Sequence, residues 1–169
     1  MTQSINWDAA ESTMSHWPYE KRPWFAKFMT GFAPVGRVMK RRNEWPHDKC
    51  PRCFSPNETC LHILQCPSED ACHNWTTAVD EFKEKLEALR TDPLITEIML
   101  SRIMSWVDDS SWERFREPPI ESPVILALES QDALGWSIFL LGRTSHLCED
   151  AQKEWIVHTS SRWHRSHTQ

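Results

Sequence analysis

Four of the six cysteines of this chain lie in one short stretch, CPRCFSPNETCLHILQC, which runs from Cys50 to Cys66. Thiols crowded in this way form a disulfide framework, a redox pair or a metal site. A disulfide framework needs an oxidising compartment, and the N-terminus MTQSINWDAAES lacks the basic start and apolar run of a secretory signal. A thioredoxin-type redox pair needs a βαβ setting, which the sequence does not indicate. The stretch therefore predicts a metal site.

The first half of that site is the pair Cys50 and Cys53, which are separated by two residues. A C-x2-C pair places two thiolates on one tight turn, as structural zinc sites do. The neighbouring cations Lys49 and Arg52 help to offset the negative charge of thiolates around a divalent ion.

The second half is predicted to lie on a helix. Ser55 and Glu58 have the spacing of a capping box, which predicts a helix from about residue 56 through 66. His62 and Cys66 are four residues apart and would share one face of that helix. The full pattern is C-x2-C-x8-H-x3-C. Because protein fills all four positions of a tetrahedron, it predicts one structural Zn²⁺ rather than a catalytic ion.

Cys60 is the main rival ligand. At 100° per residue it diverges from Cys66 by roughly 120° around the predicted helix, whereas His62 diverges by only about 40°. We therefore expect His62 to be the ligand and Cys60 to be a small buried apolar group. A site that uses Cys60 instead of His62 stays open, as does a role for Cys72 and His73.

These residues resemble a known family. CPRC, the ETxxH segment of residues 58–62 and the closing Cys66-Pro67 are similar to the zinc-binding domain that follows reverse transcriptase in many non-LTR retrotransposons. The resemblance implies the same four ligands. FMTGFAPVGRVMKRRNEWPHDKCPRC also resembles the segment that leads into this motif in element-derived reading frames, and DPLITEIMLS and QDALGWSIFLLGRTS are more loosely similar to later parts.

The sequence departs from the family in three respects. Phe54 stands where the family often has glycine, Cys60 is an additional thiol, and no polymerase or nuclease motif is present. The resemblance therefore implies a non-enzymatic relic or accessory fragment of a retroelement, with nucleic acid or a parent polymerase as partner.

Charge is unevenly distributed along the chain. The net charge is -5, but residues 1–54 carry nine Lys/Arg against five Asp/Glu. This front third is where RNA or DNA phosphates would bind, weakly and with little sequence selectivity. The predicted contacts are Arg37, Lys40, Arg41, Arg42, Lys49 and Arg52, with Trp45 as a base-stacking residue. The alternative function is a protein-interaction or structural zinc domain whose tryptophan-rich faces pack onto a partner.

The remaining pattern predicts a mostly α fold, a helical bundle with a small zinc knuckle and no substantial sheet. The chain has only four glycines and few alternating runs, and apolar residues recur at helical spacing. No run of 18 apolar residues occurs, so no membrane span is expected and the protein is predicted to be intracellular, cytoplasmic or nuclear. The predicted segments are N-terminal helices with the knuckle (1–67), a helical hairpin (68–107), a Pro-rich loop (108–123), C-terminal helices (124–158) and a flexible tail (159–169).

Overall fold

The structure, a computed structural model, describes residues 5–108 and 122–166, with side chains described as far as residue 160. Within these ranges every regular element is helical, and the only β-type pairing is an isolated bridge between Ile5 and Ser145. The prediction of a mostly α fold is confirmed. The α-helices are α1 (Trp7–His16), α2 (Arg22–Met29), α3 (Gly36–Arg41), α4 (His62–Gln65), α5 (Glu69–Ala88), α6 (Pro93–Val107), α7 (Pro123–Leu134), α8 (Trp136–Leu140) and α9 (His146–Ser166), and a 3-10 turn covers Tyr19–Lys21.

Three helix starts follow from capping residues that are visible in the sequence. The side-chain oxygen of Asn6 accepts a hydrogen bond of 2.9 Å from the backbone N–H of Ala9. Ser68 does the same for α5, and Asp92 for α6. Each side chain satisfies a backbone N–H that has no partner within its helix.

The chain divides into two compact units. The knuckle unit is Glu11–Glu81, and it contains the cysteine cluster. The helical unit comprises the described residues of Met1–Ala10 and Phe82–Gln169.

The core of the helical unit lies among α6, α7, α8 and α9. The sequence singles out Arg102 as the one polar interruption of the apolar face of α6, and its guanidinium lies 3.0 Å from the Asp132 carboxylate of α7. The core side chains are Ile95, Ile98, Met99, Ile103, Val124, Ala127, Leu128, Trp136 and Ala151.

The C-terminal helices break at Gly135, which has a φ of 93° and separates α7 from α8. The sequence places a hinge near Gly142, which lies between α8 and α9 with a φ of 78°. Helix α9 continues to Ser166, beyond residue 158, where a polar tail is predicted to begin. Most of the predicted Pro-rich loop, residues 109–121, lies outside the described residues, as do residues 167–169.

The helical spacing of Trp24, Phe25, Phe28 and Phe32 predicts a helix over residues 18–32, and the helix found there is shorter. Pro18 precedes a 3-10 turn, and α2 covers only Arg22–Met29. Aromatic rings still pair at helical spacing, since Trp24 stacks on Phe28 with ring centroids 5.3 Å apart. No helix within the described ranges is long and apolar enough to cross a membrane.

Candidate metal centre

The four predicted ligands come together in the knuckle unit. One donor atom from each of Cys50, Cys53, His62 and Cys66 lies within 4.8 Å of all the others. The Sγ atoms of Cys50 and Cys66 are 3.8 Å apart, and the Cys53 Sγ lies 3.2 Å from the His62 Nε2. A tetrahedral zinc ion with ordinary bond lengths separates two sulfurs by roughly 3.8 Å and a sulfur from a nitrogen by roughly 3.5 Å. The donor set and its spacing therefore fit one tetrahedral ion.

The first two ligands lie on a closed turn. The Phe54 N–H donates to the Cys50 carbonyl, and the Cys50 N–H donates to the Ser55 carbonyl, each at 2.9 Å. Phe54 has a φ of 60°, in the left-handed region that favours glycine. The turn thus brings both thiols to one point through two backbone hydrogen bonds and a strained residue.

The predicted helix over residues 56–66 is wrong. Helix α4 covers only His62–Gln65, and the preceding segment is irregular, with Asn57 at a φ of 57°. The capping box does not form because the Glu58 carboxylate bonds elsewhere. Instead, the Thr59 hydroxyl oxygen accepts a 3.1 Å hydrogen bond from the His62 N–H and so supports the first turn of α4.

His62 and Cys66 nevertheless converge, because α4 is a single turn and Cys66 follows it in an extended conformation. Cys60 is buried and lies outside the four-residue cluster. Cys72 and His73 are exposed on α5 and, within the described residues, also lie outside it.

Glu58 has a structural role that the sequence pattern did not reveal. The residue is buried, and its carboxylate accepts a hydrogen bond of 2.6 Å from the Gly36 N–H at the start of α3. Its own N–H donates to the Asp48 carbonyl, and its carbonyl accepts from the Arg37 N–H. Glu58 therefore ties the metal-binding segment to α3. The sequence predicts only a local capping role for Glu58, because the distant Gly36 N–H leaves no mark in the spacing around it.

The thiols of Cys50 and Cys53 differ in pKa, and zinc binds the deprotonated form. Burial raises the pKa of Cys50 above the usual range. Hydrogen bonds from Ser55, from its side chain first and its backbone second, lower the pKa of Cys53 to about 6. Because zinc binds thiolates, loading the site would remove the proton that burial holds on Cys50.

The predicted phosphate contacts are all exposed side chains of the knuckle unit. Arg37, Lys40 and Arg41 are spaced by three and four residues on α3, so they share one helix face, which we call the α3 basic face. Arg42 ends this helix, and Lys49 precedes the first ligand. The structure therefore clusters four of the cations at α3.

Some of these cations have partners within the protein. The Lys40 ammonium pairs with Asp48 at 3.1 Å, and the Arg52 guanidinium donates to the Ile63 carbonyl at 3.1 Å. The Arg41 guanidinium lies 5.3 Å from the centroid of the Phe32 ring. Arg52 thus links the Cys50–Cys53 turn to α4.

Trp45, the predicted stacking residue, lies four positions after the last residue of α3. Its backbone N–H donates to the Met39 carbonyl of that helix at 3.4 Å, and the residue is partly exposed. The rings of Trp45 and His47 meet in an edge arrangement, with centroids 6.0 Å apart. The backbone of Trp45 is therefore anchored to α3, and part of the residue is open to solvent.

Three kinds of comparison, with protein-family models, with curated proteins and with solved structures, give no match for this chain. The site itself defines the class: a helical protein with a Cys3His cluster that is compatible with a metal-binding module. Conclusions about function therefore depend on the metal centre and on the surface that it supports.

Proposed function

We propose that the chain is a zinc-stabilised, non-enzymatic nucleic-acid-binding module of retroelement ancestry. The observation that carries this proposal is the link from the metal centre to the α3 basic face. Glu58 lies between the ligands Cys53 and His62 in sequence and hydrogen-bonds the first residue of α3. An ion that orders this segment would therefore also order three exposed cations on one helix face.

Zinc would have a structural role. Three thiolates and one imidazole occupy all four positions of a tetrahedron and leave none for water or substrate. Structural zinc sites contribute folding free energy directly, because the unfolded chain offers no preformed site. The small hydrophobic cluster around the ligands supports this role, because Cys50, Cys66 and Ala71 are its only buried members within the described residues.

Nucleic acid would bind through its phosphates. Arg37, Arg42 and Lys49 are exposed, and none of them forms an ion pair with a described residue. Such contacts are electrostatic, so affinity should fall steeply as salt rises and should depend little on sequence.

The retroelement ancestry is supported by the roles of the ETxxH residues. Glu58 holds α3, Thr59 supports the turn that begins at His62, and His62 contributes a donor atom to the cluster. Each of the three named positions of the motif therefore has a distinct physical function in this chain. A motif that serves one particular metal-binding fold needs such a role at each of these positions.

A protein-interaction domain is the second candidate, because aromatic side chains are exposed on the N-terminal helices. Tyr19 is 82% exposed, and Trp24 is 46% exposed although it stacks on Phe28. Aromatic residues of this kind are enriched at protein interfaces. This candidate predicts binding that is insensitive to the cations of α3.

The test is a titration of the zinc-loaded protein with RNA and DNA at low and at physiological salt. The charge variant is Arg37→Gln with Arg42→Gln, and the matched control is Lys83→Gln with Lys85→Gln, two exposed cations of α5. Wild type and control should bind with the same salt dependence, and the α3 variant should bind more weakly with a shallower salt slope. Absence of salt-dependent binding, or equal binding by both variants, would refute the proposal and favour the interaction domain.

A further inference from the structure

We infer that the nucleic acid taken by this surface is single-stranded, with unpaired bases stacked on exposed aromatic rings of the knuckle unit. This inference rests on the proposed function and narrows its substrate class. It is carried by Trp45 and Phe54, and by the pairing of Phe32 with Arg41. These three features lie within one stretch of 23 residues that also contains the α3 basic face.

Trp45 lies shortly after α3, and its backbone N–H donates to the Met39 carbonyl of that helix at 3.4 Å. The residue is 36% exposed, and its ring and that of His47 meet at an interplanar angle of 62°. A partly exposed aromatic ring on the segment that follows a cationic helix is a feature that sequence-tolerant base stacking uses.

Phe32 and Arg41 form a second flat surface. The guanidinium of Arg41 lies over the Phe32 ring, which is 48% exposed. Both groups are planar, and unpaired bases stack on guanidinium planes as well as on aromatic rings. Arg41 is therefore available for stacking as well as for the phosphate contact that the sequence predicts.

Phe54 is the most unusual residue of the three. It adopts a φ of 60°, which is costly for a bulky side chain, and it is 71% exposed. Burial of its ring within the protein therefore does not compensate for the strain. A contact between this ring and a ligand would explain why a strained residue keeps most of its side chain exposed to water.

A double helix would not engage these rings. Bases in a duplex are stacked on one another, and only unpaired bases offer a free face to a side chain. The α3 basic face alone would bind a duplex and a single strand through the same phosphates. The aromatic rings therefore predict a preference for the single strand.

The first experiment compares unstructured polythymidine and polyuridine oligonucleotides with duplexes of equal length, in the zinc-loaded full chain. We expect the single strands to bind more tightly. Trp45→Leu should weaken single-strand binding by roughly tenfold or more and leave duplex binding unchanged, while Trp45→Phe should retain most of the affinity. The RNA and DNA arms identify which sugar is preferred.

The second experiment uses the strain at Phe54. Phe54→Gly should raise the midpoint of urea denaturation, because glycine adopts a positive φ without a steric cost. The same variant should weaken single-strand binding by roughly tenfold, because the ring is lost. Phe54→Tyr keeps the ring and should bind as wild type does. A purely structural residue would not move stability and binding in opposite directions.

The outcomes separate the inference from the proposed function. If duplex and single strand bind equally, and the Trp45 and Phe54 variants bind as wild type, the inference is wrong while the nucleic-acid function stands. If neither form binds at any salt concentration, the proposed function itself fails. Capture of a protein partner through these rings, without nucleic acid, would also overturn the inference.

Discussion

The Gly36 N–H donates a hydrogen bond of 2.6 Å to the Glu58 carboxylate, and both residues are buried. The two residues are 22 positions apart in the chain, and their contact joins the start of α3 to the segment between the second and third ligands. Gly36 has no room for a side chain, because a Cβ would lie 2.6 Å from the Asp48 carbonyl oxygen. The contact therefore requires a side-chain oxygen acceptor at one end and a glycine at the other.

Replacing Glu58 tests this contact from the acceptor side. Glu58→Ala leaves a buried backbone N–H without a partner, which should cost about 1–3 kcal/mol of unfolding free energy. Glu58→Gln keeps an oxygen acceptor and should cost clearly less. Urea denaturation of the zinc-loaded protein measures both, and equal stability of Glu58→Ala and wild type would contradict the role assigned to Glu58.

Replacing Gly36 tests the contact from the donor side. In Gly36→Ala the new methyl group overlaps the backbone at Asp48, so either α3 or the segment around Asp48 must shift. We expect a loss of about 1–3 kcal/mol, as for other overpacking substitutions. Arg37→Ala is the matched control, because that side chain is exposed on the same helix and should change the unfolding free energy little. Equal effects of the two substitutions would refute the steric argument.

The metal centre makes a prediction about stoichiometry. Elemental analysis should find about one zinc per chain in wild type, and Cys53→Ala or His62→Ala should lose it and unfold the knuckle. Cys60→Ala and Cys72→Ala should keep it, because neither thiol belongs to the four-atom cluster. If His62→Ala retains zinc and Cys60→Ala loses it, then Cys60 rather than His62 belongs to the ligand set.

The four candidate ligands were easier to predict from the sequence than the backbone conformation that brings them together. The C-x2-C turn and the closing cysteine are local patterns with strict geometric consequences, so the four donors could be proposed from spacing. The helix proposed for residues 56–66 fails because a capping box is a weak signal when its Glu can bond a distant N–H. That competing bond joins Glu58 to Gly36. The periodicity of the sequence predicts local structure, and it does not predict a contact between residues 22 positions apart.

The long helices were predictable for the opposite reason. Helices α5 and α6 begin at strong local caps, Ser68 and Asp92, and continue for several turns of apolar periodicity. The breaks near the C-terminus were harder, because Gly135 and Gly142 look alike in sequence. Only the backbone conformation shows that Gly135 itself separates two helices, whereas Gly142 lies in a longer connection.

Thr59 offers a more conservative probe of the third ligand. Its hydroxyl oxygen accepts from the His62 N–H, and so it fixes the turn on which the imidazole sits. Thr59→Val keeps the shape but removes the acceptor, and the loss of one such hydrogen bond costs about 1 kcal/mol, or roughly fivefold in zinc affinity. Thr59→Ser should preserve affinity. Competition with a colourimetric chelator measures these differences, and wild-type affinity in Thr59→Val would show that the cap does not position His62.

Gln131 carries a prediction for the helical unit, whose described residues contribute no ligand to the metal cluster. Its side chain is fully buried, and its amide oxygen accepts from the Ser145 N–H at 2.9 Å, just before α9 begins. Gln131→Leu fills the same space but leaves that N–H unpaired, so we expect a loss of about 1–3 kcal/mol. For a unit of this size such a loss lowers the melting temperature by roughly 4 °C or more.

The control for this last substitution is Glu129→Gln, because Glu129 is exposed on the same helix. It should leave the melting temperature within the error of the measurement. Zinc affinity should be unchanged in both variants, because all four ligands belong to the knuckle unit. A Gln131→Leu protein as stable as wild type would mean that water or a shifted backbone satisfies Ser145, and the hydrogen bond would then have no net role in holding the start of α9.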